Sequence, residues 1–337
     1  MPGRLIIAAA GFFAFAVFST RAFGGVYRVS DSFVGPSFYN GFDAVAIPDP
    51  TEGRVNYVDT QTAIKLNLTY AYEDTFILRA DYTTTLTATG PGRNSVRLSS
   101  KKKYTQSVLV ADIRHMPQGC GTWPALWTYT RPWPSSGEID IVEGVNDQGP
   151  NQATLHTSPG CTQPDSRLES GEVVSLNCDA TVNNNQGCGV KSTDPASYGP
   201  PFNAIGGGWY AMERTSSSIS VWFWRRDDPS VPWSVQMGLS DLDTFSFGVP
   251  FGTFVCDNCP IPEYFAAHNI IINLTLCGSW AGQPDVFQAA GCPGSCVDYV
   301  NNNPAAFKDA YWDFASLKVY TPLLESRFMT AFLLYHC

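Results

Sequence analysis

Residues 137–144 read GEIDIVEG. Three carboxylates, Glu138, Asp140 and Glu143, fall within six residues, and the intervening Ile139, Ile141 and Val142 are β-branched, which predicts a strand. Side chains alternate faces along a strand, so Glu138 and Asp140 share one face while Glu143 would point the other way. One extra residue in a β-bulge near Ile141-Val142 returns Glu143 to the same side. Three acids on one face make a poor core, because unpaired buried charge is costly. They suit glycoside hydrolysis, in which one carboxylate attacks the anomeric carbon and another protonates the leaving oxygen. A short solvated acidic strand would carry the same pattern, so the surroundings decide.

Those surroundings are aromatic. GTWPALW at 121–127 lies just before the acids, and Trp133 sits in the turn between. The apolar face of a pyranose packs on an indole while the rim supplies hydrogen bonds. Trp123 and Trp127, four residues apart in an apolar run, suit either core packing or a sugar platform. Trp133, between prolines and polar residues, reads as exposed to ligand. His156 falls one hairpin after the triad, within reach of a carboxylate or a sugar hydroxyl. Trp280, in the Gly-flanked CGSWAG at 277–282, is easier to place as a platform than as core.

The rest of the chain bounds the answer. Arg4 followed by the apolar run Leu5 to Phe18, with Ala22-Phe23-Gly24 as a cleavage site, reads as a secretory signal over residues 1–24. The run is short for a membrane span. Loss of Arg4 and Arg21 takes the formal charge from −9 to −11. An acidic, aromatic-rich secreted chain suits a neutral ligand and is a poor candidate for nucleic acid or anionic lipid. Ten cysteines in such a compartment predict disulfides whose pairing is not legible. Nine of them precede the tail, so one is free or pairs with Cys337. Cys256-x-x-Cys259 with Cys292-x-x-x-Cys296 also has zinc-like spacing, which the oxidising compartment disfavours. Asn67 and Asn273 begin glycosylation sequons, the latter in an apolar run.

Short β-rich runs recur between Gly, Pro, Asn and Ser clusters: Ile64–Tyr70, Phe76–Tyr82, Ser107–Ile113, Glu138–Glu143, Ser218–Trp224, Asn269–Leu276 and Phe314–Tyr320. They predict an all-β sandwich spanning residues 25–322. Within Ser218–Trp224 the tryptophans share one face, and at least one of them is expected to pack sheet to sheet. Residues 160–208 read as disulfide-pinned loops, Lys101–Lys103 as a solvated strand edge, and Ala305–Tyr311 as one short helix. The tail, residues 323–337, has no functional reading.

Together, GEIDIVEG, the preceding GTWPALW, the LHT at 155–157 and the NLTLCGSWAG at 273–282 resemble family 16 glycoside hydrolases. They are most similar to fungal secreted endo-1,3(4)-β-glucanases of the laminarinase type. DSFVGPSF at 31–38 and GRNSVR at 92–97 match as well. The resemblance implies a β-sandwich jelly roll with the substrate in a concave cleft. It implies Glu138 as nucleophile, Glu143 as general acid/base and Asp140 as the residue that tunes them. Trp123, Trp127, Trp133, His156, Trp280 and Arg97 are implied as substrate-binding positions. The substrate implied is a laminarin-like β-glucan, handled by a secreted monomer with no cofactor, no metal ligand set, and no membrane or nucleic-acid partner. A cell-wall transglycosylase would use the same residues. A non-catalytic glucan-binding protein would lack the glutamates that are present here.

Overall fold

The computed structural model describes residues 25–323. The signal-like segment 1–24, and the tail from 324 onward with Cys337, lie outside the described residues.

Two antiparallel sheets face each other. The inner sheet has eight strands in the order 172–173, 188–191, 152–156, 138–143, 122–129, 269–276, 97–100 and 42–44. The outer sheet runs 241–243, 26–33, 311–322, 107–115, 208–214, 218–225 and 252–255, with 75–79 paired to the 311–322 strand and 69–72 paired to 75–79. Ile139, Ile141 and Val142 enter the core from the acid strand, meeting Leu126, Leu155, Ile270 and Ile272. Leu109, Ala111, Ile113, Phe314 and Leu317 close it from the outer sheet. This is the sandwich that the short-strand pattern predicts, in the jelly-roll form that the family resemblance implies.

Several expectations change. Asp59 caps a helix over Thr60–Lys65 by accepting from the Thr62 N–H at 2.9 Å, so the strand expected from Ile64 begins only at Thr69. Asn67, at φ 54°, makes the turn between them. The helix expected over 305–311 is instead Cys296–Asn302, capped by Ser295. Pro304–Phe307 is one 3-10 turn, and Tyr311 already starts a strand. Trp222 and Trp224 are buried, but not between the sheets. They form a second cluster with Tyr27, Trp209, Val231, Val235, Leu242 and Phe247 on the far side of the outer sheet, roofed by the 231–247 segment. A second apolar layer there explains why Val108 and Val110 are as buried as Leu109 and Ala111.

The disulfides are Cys120–Cys292, Cys161–Cys259, Cys178–Cys188 and Cys277–Cys296. Cys256 is disulfide-bonded too, and none of the described cysteines is free. The four cysteines with zinc-like spacing therefore belong to four separate bridges. Asn273 is 5% exposed and inside the sheet, which removes it as a glycan acceptor, whereas Asn67 is exposed. The Lys101–Lys103 run lies just past a strand end, with Lys102 paired to Asp31 at 2.5 Å.

Candidate active site

Gly137 and Gly144 bracket the acid strand for steric reasons. A Cβ on Gly137, at φ +76°, would stand 2.4 Å from the Phe265 ring, and one on Gly144 would stand 2.5 Å from the Tyr198 ring. Between them the strand pairs with 122–129 on one side and 152–156 on the other. Its register against 122–129 slips between Asp140 and Val142. This is the expected bulge, and it puts Glu138, Asp140 and Glu143 on the open face while Ile139, Ile141 and Val142 fill the core.

A bulge leaves backbone groups without ladder partners. Here Asn151, fully buried, takes them both: its Oδ1 accepts from Glu143 N at 3.0 Å and its Nδ2 donates to the Ile141 carbonyl at 2.9 Å. Asn151 was not among the residues singled out above, because an Asn in a loop carries no pattern. Only the bulge gives it a task.

Each glutamate receives an indole N–H. Trp133 donates to Glu138 Oε2 at 2.7 Å, and Trp123 donates to Glu143 Oε1 at 2.9 Å. Trp123 also meets Trp280 edge to face, with ring centres 5.5 Å apart. Trp127 stacks on Tyr129 and donates to Asn273 Oδ1 at 2.6 Å. The Arg97 guanidinium lies 4.8 Å over the Trp127 ring and 5.5 Å from the Tyr129 ring. Trp123 and Trp127 are thus half-buried on the open face rather than in the core. Trp133, at 44% exposure, has the barest ring of the group. Tyr129 and Asn273 join the site without having been marked from sequence; facing pairs along the strands at 122–129 and 269–276 are the signal that finds them.

Asp140 is 2% exposed and hydrogen-bonded to Glu138. His156 lies directly across from Glu138 in the ladder, with its Nε2 3.4 Å from Asp140 Oδ2. Burial raises all three acids. Glu138 is carried to about 8, by burial first and then by the Glu143 charge; Glu143 is carried to about 7 by burial; Asp140 rises well above the ordinary aspartate range. The three titrate together, so the site retains protons near neutrality. The surrounding donors favour the microstate with its charge on Glu138: Trp133, Arg97 and Asp140 all stabilise that anion, while Glu143 has only Trp123. Donor atoms of Glu138, Asp140 and His156 lie within 4.8 Å of one another, the only such trio among the described residues. Proton sharing accounts for this clustering, so we assign it no metal.

The chain as a whole is similar to known proteins. The model of XgeA-like catalytic domains of glycoside hydrolase family 16 matches residues 42–320. The chain is 57% identical to laminarinase 16A of Phanerochaete chrysosporium, solved with 6-O-glucosyl-laminaritriose in donor and acceptor sites. The likeness covers 88% of this chain and all of that one, with a TM-score of 0.88. A solved, elongating family 16 β-1,3-glucosyltransferase is 38% identical over the same shares, with a TM-score of 0.81. A probable endo-1,3(4)-β-glucanase of Neosartorya fischeri is 40% identical over 95% of this chain and 50% of its own length. Across the curated relatives compared, the chain spans 43% to 69% of their length. With its bulged acid strand, its indole-bonded glutamates and a family match across the sandwich, the chain belongs to glycoside hydrolase family 16.

Proposed function

We propose that this protein is a secreted endo-acting β-glucanase that cleaves β-1,3 and mixed β-1,3/1,4 glucans with retention of configuration. The observation that carries the reading is the pair of indole-bonded glutamates on one face of a bulged strand.

Retention needs two carboxyls about 5–5.5 Å apart on either side of the scissile bond. Glu138 attacks the anomeric carbon while Glu143 gives its proton to the departing glycosidic oxygen. Glu138 is then esterified and uncharged, and Glu143, now ionised, takes a proton from the incoming water. The water completes hydrolysis and regenerates both acids. Trp123, Trp127, Trp133 and Trp280 supply ring faces for successive sugars, and Arg97 adds a cation beside the nucleophile. The raised pKa of Glu143 keeps it protonated at mildly acidic pH, which is where activity is expected to peak.

Release of reducing sugar from laminarin at mildly acidic pH tests this. Wild type should be active, and Glu138→Gln should lose at least about 10⁴-fold in kcat while still binding the glucan. Full activity in the variant, without deamidation back to Glu, would remove Glu138 from the mechanism. The similarity to a glucosyltransferase supports a second reading, in which a sugar hydroxyl rather than water resolves the ester. Products longer than the starting oligosaccharide at high concentration would favour it.

A further inference from the structure

The 160–190 region has so far explained nothing about the chemistry, yet one of its side chains reaches the site. The loop closed by Cys178–Cys188 carries Asn183, Asn184 and Asn185, all at positive φ, 50°, 55° and 60°. Few residues other than glycine tolerate this region, and asparagine is one of them. The chain then turns back at Gly187, where a Cβ would stand 2.9 Å from His156 Cε1 and 2.5 Å from the Leu155 carbonyl. This tight return brings Asn185 Oδ1 to 2.8 Å from His156 Nδ1.

An amide oxygen can only accept, so Nδ1 carries the hydrogen and a neutral His156 has its lone pair on Nε2. Burial pushes His156 down to about 4, so the neutral form prevails. Nε2 faces Asp140 Oδ2, a buried oxygen that makes no hydrogen bond. A lone pair facing a carboxylate anion in a buried site is costly, and protonating Asp140 removes the charge from that conflict whichever way its hydroxyl points.

We propose that Asn185 is a positioning residue that fixes the Nδ1–H tautomer of His156, making Nε2 the acceptor that keeps Asp140 protonated beside Glu138. The inference rests on the reading of Glu138 as nucleophile. A neutral Asp140 removes one negative charge next to the attacking carboxylate. Its proton points to Glu138 while that group is an anion, and to His156 once Glu138 is an ester. No proton enters or leaves Asp140 in this exchange. The charged groups facing Asp140 are Glu138 and Glu143 from the same strand, and Arg97, from the strand at 97–100, acts on Glu138. The Asn183–Asn185 turn brings none.

Nitrogen-15 NMR of histidine-labelled protein reads the tautomer directly. Of the four histidines, His156 is assigned by the signal lost in His156→Gln. Near neutral pH it should show a protonated Nδ1 and an unprotonated Nε2, and Asn185→Ala should mix the two forms. In kinetics, Asn185→Ala should lower kcat about tenfold with little change in KM. The basic limb of its kcat/KM profile should move down by about half a pH unit or more, because ionised Asp140 is no longer disfavoured. Asn185→Asp keeps the accepting oxygen and adds negative charge, so it should recover most of kcat and move the limb upward. The reverse tautomer in the wild type would overturn the proposal. So would an Asn185→Ala that raises KM while both limbs stay in place, the behaviour of a simple sugar contact. If Asn185→Ala does not fold, the wild-type spectrum and the Asn185→Asp profile still decide. A wild type inactive on every glucan would sink the hydrolase reading and leave the NMR result standing on its own.

Discussion

On the open face, Trp123 and Trp133 aim their indole N–H groups at Glu143 and Glu138 and keep ring surface exposed. On the far side of the outer sheet, Trp209, Trp222 and Trp224 are 3–5% exposed. There the Trp222 N–H goes to the Gly248 carbonyl, and Arg226 lies 4.1 Å over the Trp209 ring. Phe247 packs edge-on against both Trp222 and Trp224. The residue type is the same, and apart from Trp133, which stands in a turn, so is the strand setting. What differs is the layer above: the 231–247 segment roofs one face, and the other is left for ligand. A tryptophan under a roof contributes apolar burial, whereas one facing water beside a carboxylate contributes a hydrogen-bond donor and a bare ring.

That contrast can be broken by mutation. The largest effect is expected at the roofed site. Trp222→Ala should cost about 3–5 kcal/mol of stability, seen as a fall in the denaturation midpoint, while kcat per folded molecule stays near wild type. A loss of activity without loss of stability would mean that the outer cluster communicates with the cleft. Trp133→Phe should do the opposite. Removing one charge-assisted donor from Glu138 should lower kcat/KM on laminarin by roughly tenfold, with Tm nearly unchanged because the ring is already exposed.

The smallest effect sharpens the comparison through pH. Glu138 and Glu143 have folded-state values raised from 4.5 to about 8 and about 7. The folded protein therefore holds protons that the unfolded chain has released, and stability falls as pH rises from about 4.5 toward 8. Glu138→Gln removes one such group. Its Tm should exceed wild type by about 2–4 °C near pH 7.5, and the difference should close toward pH 4.5. A gap that is constant with pH would mean that burial does not perturb Glu138. Trp222→Ala should show no such pH dependence, since its cluster acts through packing.

Much of the site was legible in the chain. Glu138–Glu143 and Asn269–Leu276 begin and end where the residue pattern puts them, and the bulge follows from a count of positions between the acids. The indole positions were legible as a group, because tryptophan near paired carboxylates has few other uses. The helix at Thr60–Lys65 was not, since Ile64 and Leu66 look like strand residues until the Asp59 cap is seen. Nor was the fate of Trp222 and Trp224: alternation says that they share a face, and cannot say what covers it.

The residues by themselves determined an all-β sandwich, the three acids on one face, and the class of chemistry they support. These depend on local rules, namely strand periodicity, β-branching and the cost of burying charge, which act within a few positions. Only the tertiary structure decided which tryptophans lie on the open face and which are covered, how the cysteines pair, that Asn151 holds the bulge, and that Asn185 reaches His156 across 29 positions of sequence. Each of these depends on what the chain brings back from far away to fill or cover a face, and no periodicity within a single strand records it.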